Sequence, residues 1–397
     1  MKYFAFIYFL FHSVVVAAAS THPEKVLLDA VQDIQASQLA NAEKKLQALL
    51  VQRPDFKLAQ LVYADVLMAK TDAVFNLGLG LPDTQDKALL LKEIKNRYSA
   101  ASDSDIKQKY PAVLARLDNH YNYALLVDLS KSRLYVFDNS GSKPVLVEDY
   151  FVSMGRGGPG KINEGDLKTP MGVYFVQSYI SPTQLADKYG AGAYPINYPN
   201  AWDRINGKTG HGIWLHGTRS GTYNRPPLAS EGCVVLPNDD LLEVGAYIDL
   251  KNTPVLIGEN LEWLPAEKWL EHQSLVNQIH QQWKNDWESL NVDNYLRHYS
   301  QNFSNGKKKF SHWADHKRRI SKHKTFVEVE LSNVSLLLHP NEDVMVATFQ
   351  QQYSSDNFTS QSWKRQYWSK ESDGEWRIVF EDEISPPAPP QLARNLL

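Results

Sequence analysis

The sequence predicts a multidomain protein with an α-helical N-terminal region, a mainly β central domain and an α+β C-terminal domain. Over 22–118, apolar residues recur at about every 3.6 residues, the period of an amphipathic helix. Short strand-like runs separated by turn signals occupy about 121–258. A long helical pattern followed by alternating strands occupies about 270–385. The length of 397 residues fits two or three domains of roughly 100–200 residues each.

The composition is that of a globular chain. Hydrophobic residues make up 43% of the chain and charged residues 22%, which is enough apolar material for a sizeable core. The formal net charge is only -3. A mild charge gives no reason to expect a polyanionic partner, and we expect no nucleic acid to bind.

The first 19 residues have the pattern of a secretory signal peptide. Lys2 supplies a positive start, an apolar stretch covers 3–16, and Ala17-Ala18-Ala19 offers a small-residue cleavage site. The alternative is an uncleaved membrane anchor, although the stretch is short for a span of about 20 residues. The pattern predicts an exported, periplasmic protein that loses residues 1–19.

The helical region is expected over 20–118. The segment "PEKVLLDAVQDIQ" places its apolar residues on one helical face. Pro54 interrupts the pattern that follows, and we expect it to start a new helix, since proline is tolerated in a first turn. The helices resemble a tetratricopeptide (TPR)-like hairpin, although one or two units do not make an array. Support of the rest of the chain or docking of a partner is the expected role.

The central β domain is expected over 119–258 and the α+β domain over 270–385, with a proline-rich tail at 386–397. Strand candidates in the central domain include "MGVYFVQSYI", "GIWLHGT" and "TPVLIG". Several aromatic residues share one helical pattern at the start of the last domain. They are expected to pack in its core or, alternatively, to line a ligand pocket: Trp283, Trp287, Tyr295, Tyr299 and Phe303.

Cys233 is the only cysteine in the chain. An exported protein with one cysteine cannot form an internal disulfide, so a reactive thiol or an intermolecular bridge is expected. A reactive thiol needs a base and an oxyanion donor. His211 and His216 are the nearest bases, and five residues apart on a strand they face opposite sides. His216, at a strand end before Gly217, is favoured.

The backbone N–H groups of Gly232 and Cys233 could form part of an oxyanion hole, because glycine permits close approach. Two alternatives remain open on the residues alone. One is an inert cysteine with a satisfied core histidine. The other is a His/His/Cys zinc site, which lacks any paired ligand spacing.

The segment "IWLHGT", followed 17 positions after His216 by the cysteine of "SEGCVVLPND", resembles the catalytic motif of the YkuD family of L,D-transpeptidases. Upstream, "GDLKTPMGVYFV" is similar to the Thr-Pro-x-Gly strand of that family. The resemblance implies that Cys233 is the nucleophile and His216 its general base. It also implies that the Gly217 carbonyl orients the imidazole and that Ser230 supports the loop. The implied reaction needs no cofactor and no metal.

Two positions depart from the family pattern. Most members have histidine where Glu231 stands and arginine where Val235 stands. An ionised carboxylate cannot donate a hydrogen bond, and its charge tends to raise the pKa of a nearby thiol. The acyl acceptor is therefore expected to depend on these two positions.

The segment "YPINYPNAWDRINGKTGHGIWLHG" resembles a proteobacterial subgroup that contains transferases, carboxypeptidases and amidases of peptidoglycan stems. The helix-and-strand region after it is similar to an NTF2-like domain, which follows the YkuD domain in some cell-shape-determining L,D-carboxypeptidases. The resemblance implies substrate-binding roles for six residues: Tyr198, Asn200, His211, Trp214, Arg219 and Glu231.

The resemblance implies an L,D-transpeptidase that acts on the peptidoglycan tetrapeptide stem. It would release the terminal D-Ala through an acyl-cysteine and pass the acyl group to an amine or to water. One alternative is an L,D-carboxypeptidase or amidase, and another is a non-catalytic wall-binding scaffold. Wall-associated proteins could bind the helical or NTF2-like regions. If the dyad is correct, activity is expected to rise through about pH 6–8.

Two further segments suggest other ligands. "GRGGPGK", Gly155 to Lys161, imitates a phosphate-binding loop, but Ile162 stands where that motif requires serine or threonine, so we expect no nucleotide. The loop is expected to flank the substrate cleft. "KKKFSHWADHKRRISKHK", Lys307 to Lys324, is strongly basic. It is expected to form a solvated face or, alternatively, to contact anionic wall polymers or lipid headgroups.

Overall fold

The computed structural model describes residues 22–70, 77–78 and 82–386. The predicted signal peptide, 1–19, and nearly all of the predicted tail lie outside these residues. Within the described ranges, no helix is long and apolar enough to cross a membrane.

Four helices form the N-terminal region. They are α1 (Pro23–Gln35), α2 (Leu39–Gln52), α3 (Lys57–Ala69) and α4 (Gln85–Ser102). Their apolar faces close a small core that includes Leu27, Leu46, Val62 and Ile94. Pro54 lies in the turn after α2, three residues before α3 begins. After α4 a short 3-10 helix, Ser104–Gln108, follows, and the strand Lys109–Pro111 then lies inside the range predicted to be helical.

The central domain is built on a five-stranded sheet with the order β4-β3-β2-β11-β6. A smaller three-stranded sheet has the order β10-β8-β7. In addition, β5 pairs with β9, and β1 pairs with β12. The strands are β1 (Lys109–Pro111), β2 (Tyr123–Asp128), β3 (Arg133–Asp138), β4 (Val145–Phe151), β5 (Met154–Gly155), β6 (Gly172–Phe175), β7 (Ala193–Pro195), β8 (Trp214–His216), β9 (Leu228–Ser230), β10 (Val234–Val235), β11 (Pro254–Gly258) and β12 (Trp263–Pro265). Two helices interrupt them, α5 (Ala201–Ile205) and α6 (Asn238–Gly245).

Both faces of the five-stranded sheet are buried. Leu125 and Val127 pack with Leu215 and Val234 of the smaller β10-β8-β7 sheet. The alternate residue Leu126 shares a second core with residues of the C-terminal domain such as Leu337, Val346 and Tyr367. A strand buried on both sides needs a continuous apolar run, which explains the sequence "YALLV". The sheet is thus a rigid base on which the small sheet is held.

The C-terminal domain consists of three helices and a five-stranded sheet with the order β13-β17-β16-β15-β14. Its elements are α7 (Ala266–Glu288), α8 (Val292–Arg297), β13 (Tyr299–Ser304), α9 (Phe310–Ser321), β14 (Val327–Leu338), β15 (Val344–Ser355), β16 (Phe358–Lys370) and β17 (Trp376–Ile384). The predicted core role is confirmed for four aromatic residues: Trp283, Tyr295, Tyr299 and Phe303. Trp287 packs against this core but is only partly buried.

A buried ionic cluster joins the N-terminal helices to the central domain. The Arg97 guanidinium lies 2.8 Å from Glu24 and 2.9 Å from Glu93, and Arg133 on β3 lies 2.8 Å from Glu24. Asn224, from the segment between β8 and β9, donates to Glu93. The helices therefore hold the chain segment that leads from the His216 strand towards Cys233.

Candidate active site around Cys233

The two strands β8 and β10 bring Cys233 and His216 together. They pair in parallel, with Val235 opposite His216 and Val234 opposite Leu215. Cys233 directly precedes β10, and its sulfur makes hydrogen bonds to the chain just before His216, at the Gly212 carbonyl and the Trp214 N–H. The 17-residue separation in sequence is spanned by the Asn224 segment, which packs on the helices.

His216 is oriented by a hydrogen bond from its own ring to the next residue. Its Nδ1 lies 2.7 Å from the Gly217 carbonyl oxygen. A carbonyl oxygen only accepts, so Nδ1 must carry the proton and Nε2 is left as the basic nitrogen. The Tyr189 ring packs edge-on against the imidazole, with ring centroids 5.0 Å apart. The pKa of His216 is lowered to about 4, mainly by burial and with help from the nearby charges of Arg225 and Lys188, against the raising effect of the Gly217 bond.

Asn238, at the start of α6, fixes the position of the Gly217 peptide. Its Oδ1 accepts from the backbone N–H of Ala191 at 2.9 Å and of Thr218 at 3.1 Å. Its Nδ2 donates to the Thr218 carbonyl at 2.9 Å. A Cβ on Gly217 would lie 2.1 Å from Asn238 Oδ1, so only glycine allows this close approach. The position of the Gly217 carbonyl, which orients His216, is therefore fixed by these hydrogen bonds and by the close packing of Asn238 against Gly217.

The Cys233 thiol is partly buried and protonated at rest. Its S–H donates to the Gly212 carbonyl at 3.5 Å. Burial raises the pKa of Cys233 to about 11. The Trp214 N–H and the charges of Lys188 and Arg225 lower this pKa, while the Glu231 carboxylate raises it. Near pH 7 the Cys233 thiol and the His216 imidazole are therefore both neutral. The thiolate forms only when the thiol proton is transferred to the base.

The loop before Cys233 is tied down by two hydroxyl groups. Ser230 Oγ donates to the Cys233 carbonyl at 2.6 Å and accepts from the Gly232 N–H at 3.1 Å. Thr169, of the Thr-Pro-x-Gly strand, donates to the Gly232 carbonyl at 2.9 Å. Gly232 has φ 127°, and a Cβ there would lie 2.8 Å from the Lys168 carbonyl oxygen. Glycine is therefore required at this position.

The expected pair of oxyanion donors needs a correction. The Gly232 N–H is occupied by Ser230 Oγ and cannot serve without breaking that bond. Among the residues that the structure describes, no acceptor is found for the Cys233 N–H. That amide is the available donor beside the sulfur.

Glu231 lies at the exposed edge of the site between two cations. Its side chain is 68% exposed, with Arg156 Nη2 at 3.8 Å and Lys188 Nζ at 3.9 Å. Pairs this exposed and this long contribute little stability. Arg156 comes from the "GRGGPGK" loop, whose Gly155 pairs with Ser230, so this loop flanks the Cys233 loop as expected.

Val235, the second departure, has a buried side chain and lies beside His216 on the neighbouring strand. Arg225 is the partly buried cation whose charge acts on Cys233, and it donates to the Ala229 carbonyl.

The structure separates the other predicted substrate residues into two groups. Trp214 is at the site, since its ring packs against Tyr189 at 4.9 Å. Arg219 is exposed. Tyr198 and Asn200 are corrections: both are buried, and they donate to the carbonyls of Thr209 and Val173. We assign these two a structural role.

His211 is exposed, and its Nε2 lies 3.9 Å from Glu164. His211 and His216 thus differ in surroundings, but His211 lies before the strand Trp214–His216, so the expected arrangement on opposite faces of one strand does not apply. The described residues contain no group of three His, Cys, Asp or Glu side chains that could hold a metal ion.

This constellation defines a class of protein. Residues 122–257 match the YkuD family, described as the L,D-transpeptidase catalytic domain, and residues 274–382 match the Cds6 C-terminal NTF2-like domain. The two matches agree with the YkuD-like and NTF2-like domains that the motifs predict, and the match to the Cds6 type of NTF2-like domain is new.

Particular relatives share one or both domains. YafK of Escherichia coli K12, a candidate L,D-transpeptidase, is 31% identical over 117 residues, which are 29% of this chain and 42% of YafK. The structure of Bdellovibrio bacteriovorus Bd1075 is 26% identical and aligns over 70% of this chain and all of that one, with a TM-score of 0.63. Pgp2, the helical cell shape determining protein of Campylobacter jejuni, is 26% identical over 73% of this chain and 98% of its own, with a TM-score of 0.56.

Proposed function

We propose that this protein is an exported, periplasmic cysteine enzyme that modifies peptidoglycan by L,D-transpeptidase chemistry. The observation that carries the proposal is the bond from His216 Nδ1–H to the Gly217 carbonyl. It leaves Nε2 basic on the strand that pairs beside Cys233. The substrate is the tetrapeptide stem, bonded through its third residue, meso-diaminopimelate, to the terminal D-Ala.

The first half-reaction forms an acyl-enzyme. The thiol proton passes to His216 Nε2 as Sγ attacks the carbonyl carbon of the third residue. The Cys233 N–H donates to the developing oxyanion, and the charges of Lys188 and Arg225 stabilise the sulfur as its proton leaves. The C–N bond to D-Ala then breaks, and the imidazolium returns the proton to the departing amine. A thioester on Cys233 remains.

The second half-reaction transfers the acyl group. His216, again neutral, removes a proton from the acceptor as it attacks the thioester, and then returns it to the sulfur. An amine from a neighbouring stem gives a crosslink, and an amine from a protein gives an attached protein. Water gives a trimmed tripeptide.

Hydrolysis is the second candidate outcome, and an amidase that cuts protein–peptidoglycan links is a variant of it. The likeness to a protein named for helical cell shape, together with the motif resemblance to cell-shape-determining L,D-carboxypeptidases, favours water as acceptor. Glu231 supports this choice too, because it stands where most members have histidine. A non-catalytic scaffold is the rival from another class. The hydrogen-bonded His216 and the tethered Cys233 loop weigh against it.

The test is incubation with purified disaccharide-tetrapeptide, followed by mass analysis of the products. Tripeptide alone identifies a carboxypeptidase, and a dimer joined between two third residues identifies a transpeptidase. Unchanged substrate at every enzyme concentration contradicts both and leaves the scaffold. Cys233→Ala is the inactive control, and His312→Ala, at an exposed histidine of α9, is the matched histidine control.

A further inference from the structure

The turn between β14 and β15 reaches from the C-terminal domain onto the catalytic domain. Its Pro340 packs against the end of β11, where a Cβ on Gly258 would collide with the proline ring. Beside it, the Asn341 side chain accepts from the Glu259 N–H at 3.0 Å and donates to the Glu259 carbonyl at 2.9 Å. The turn is therefore held in one position on the catalytic domain.

His339, the residue after β14, is buried in this turn and makes a hydrogen bond across the domain boundary. Its Nδ1 accepts from the Asn341 N–H at 3.1 Å, so the ring proton must be on Nε2. Nε2 donates to the carbonyl of Met171, directly before β6, at 3.1 Å, whereas Glu342 Oε1 is farther away at 3.5 Å. Burial lowers the pKa of His339, which agrees with a neutral ring.

Thr169, close to this contact in sequence, is bonded to the loop that carries the nucleophile. Thr169 is fully buried. Its Oγ1 accepts from the Gly155 N–H at 2.9 Å and donates to the Gly232 carbonyl at 2.9 Å. Gly232 directly precedes Cys233, so a shift of Thr169 would move the peptide from which the thiol projects.

Pro170 separates Thr169 from Met171 and stiffens the segment between the two contacts. A proline ring fixes its own φ and holds the preceding residue in an extended conformation. The Met171 carbonyl also accepts from Tyr174 Oη at 3.0 Å, but that donor belongs to β6 and moves with it. The donor that His339 supplies comes from another domain and can therefore fix the segment from outside.

We propose that His339 is a positioning residue for the nucleophile, Cys233. Its hydrogen bond to the Met171 carbonyl holds the Thr169 segment, which in turn holds the loop that presents the thiol. A misplacement of about 1 Å can cost roughly 100-fold in rate, so such a contact matters for the reaction. The C-terminal domain is thereby part of the catalytic apparatus. Its effect on rate rests on the proposed function, whereas its effect on the loop does not.

The experiment replaces His339 in the full chain by two amides that keep different halves of its bonding. In His339→Gln the side-chain NH2 group reaches the Met171 carbonyl, as Nε2 does. In His339→Asn the amide oxygen takes the place of Nδ1 and accepts from the Asn341 N–H, but the shorter side chain does not reach Met171. Each variant loses one hydrogen bond, so a merely structural role predicts similar activity for both. Thermal unfolding verifies that both variants fold.

The kinetic readout uses disaccharide-tetrapeptide. His339→Asn is expected to lower kcat about three- to thirtyfold, the range for coupling through a packed network, with little change in KM. His339→Gln should keep most of the wild-type kcat. Trp202→Phe is the matched control, because it removes another single bond between the same domains, the 2.7 Å bond to Glu342, and it should keep the wild-type kcat. Equal kcat in the two His339 variants, or an equal loss in Trp202→Phe, overturns the proposal.

Hydrogen exchange followed by mass spectrometry supplies a readout without substrate. The peptide covering residues 228–236 contains the Gly232 N–H, bonded to Ser230, and the Val235 N–H, bonded to Ser153. This peptide should exchange at least about threefold faster in His339→Asn than in His339→Gln. That difference without turnover by the wild type would overturn the proposed function alone. Wild-type turnover with the same kcat and the same exchange in both variants would overturn this inference alone.

Discussion

The Nδ1–H of His216 donates to the carbonyl of Gly217 at 2.7 Å, and Asn238 holds that same Gly217–Thr218 segment through two hydrogen bonds to Thr218 while it accepts a third from Ala191. A main-chain oxygen thus does the work that a carboxylate does in a Ser-His-Asp triad. Because the orienting group is neutral, it fixes the tautomer without stabilising the imidazolium by charge. The basicity of His216 is set mainly by its burial.

The pH dependence follows from that burial. The pKa of His216 is lowered to about 4, and the base is active only when deprotonated. The kcat/KM, which reports groups of the free enzyme, should therefore fall as pH drops through about 4 and stay nearly level between about pH 6 and 8. The sequence alone predicts a rise through pH 6–8, which an unburied imidazole would give. An acid midpoint near the ordinary histidine value would contradict the buried geometry.

Asn238 should matter for rate through the position of His216. In Asn238→Asp the acceptor oxygen for the Ala191 and Thr218 N–H groups remains, whereas the donor to the Thr218 carbonyl is lost. We expect kcat to fall by about 100-fold from misplacement of the imidazole and unfolding free energy by about 1–3 kcal/mol. Steady-state kinetics with chemical denaturation measures both. A drop in stability with unchanged kcat would show that Asn238 is structural only.

Glu231 and Arg225 should change the reactivity of the thiol in opposite directions. The Glu231 carboxylate raises the pKa of Cys233 and the Arg225 charge lowers it. Glu231→Gln should speed alkylation of Cys233 by iodoacetamide at pH 8 by roughly two- to threefold, because exposed charges interact weakly. Arg225→Gln should slow it, and Arg225→Lys, which keeps the charge, should restore most of the rate. Changes of the same sign in both neutral variants would contradict this electrostatic account.

The buried ionic cluster should couple the helical region to the stability of the catalytic domain. Arg97→Met leaves Glu24 and Glu93 buried without their shared cation, which should cost about 3–5 kcal/mol in unfolding free energy. The change should also lower kcat, since Glu93 holds the Asn224 segment. Urea unfolding is the measurement, and exposed Lys95→Met on the same helix is the control. Equal midpoints for the two variants would contradict the coupling.

The parts of the site that are local in sequence could be predicted, and the parts assembled from distant loops could not. His216, Gly217, Ser230 and Cys233 lie in two short motifs, so spacing and chemistry indicate them together. Lys188 and Tyr189 reach the site only through the fold, and no spacing relates them to the cysteine beforehand. Asn238 lies in the same motif as Cys233, but its bonds to Thr218 and Ala191 depend on the fold. Arg225 was missed for a different reason, since its segment is positioned by helices more than 100 residues earlier, through Glu93 and Asn224.

The errors have equally specific causes. The Gly232 N–H was expected to be an oxyanion donor, but it donates to the Ser230 hydroxyl. The sequence does not indicate which way a serine hydroxyl points, so this bond could not be predicted. Tyr198 and Asn200 have polar groups that can bind a substrate or satisfy a neighbouring carbonyl, and only burial distinguishes these uses. The three-domain order and the aromatic core of the last domain were predictable, because both rest on long apolar periodicities.

The most direct test of the central claim is intact-protein mass spectrometry during turnover of disaccharide-tetrapeptide. The account predicts a transient adduct equal to the substrate minus D-Ala, located on Cys233 by peptide mapping. The adduct should be absent in Cys233→Ala and form at least about 100-fold more slowly in His216→Ala, from loss of the general base. His312→Ala, at an exposed histidine of α9, should behave as wild type. Product formation by Cys233→Ala, or an adduct that forms at the wild-type rate without His216, would contradict the account.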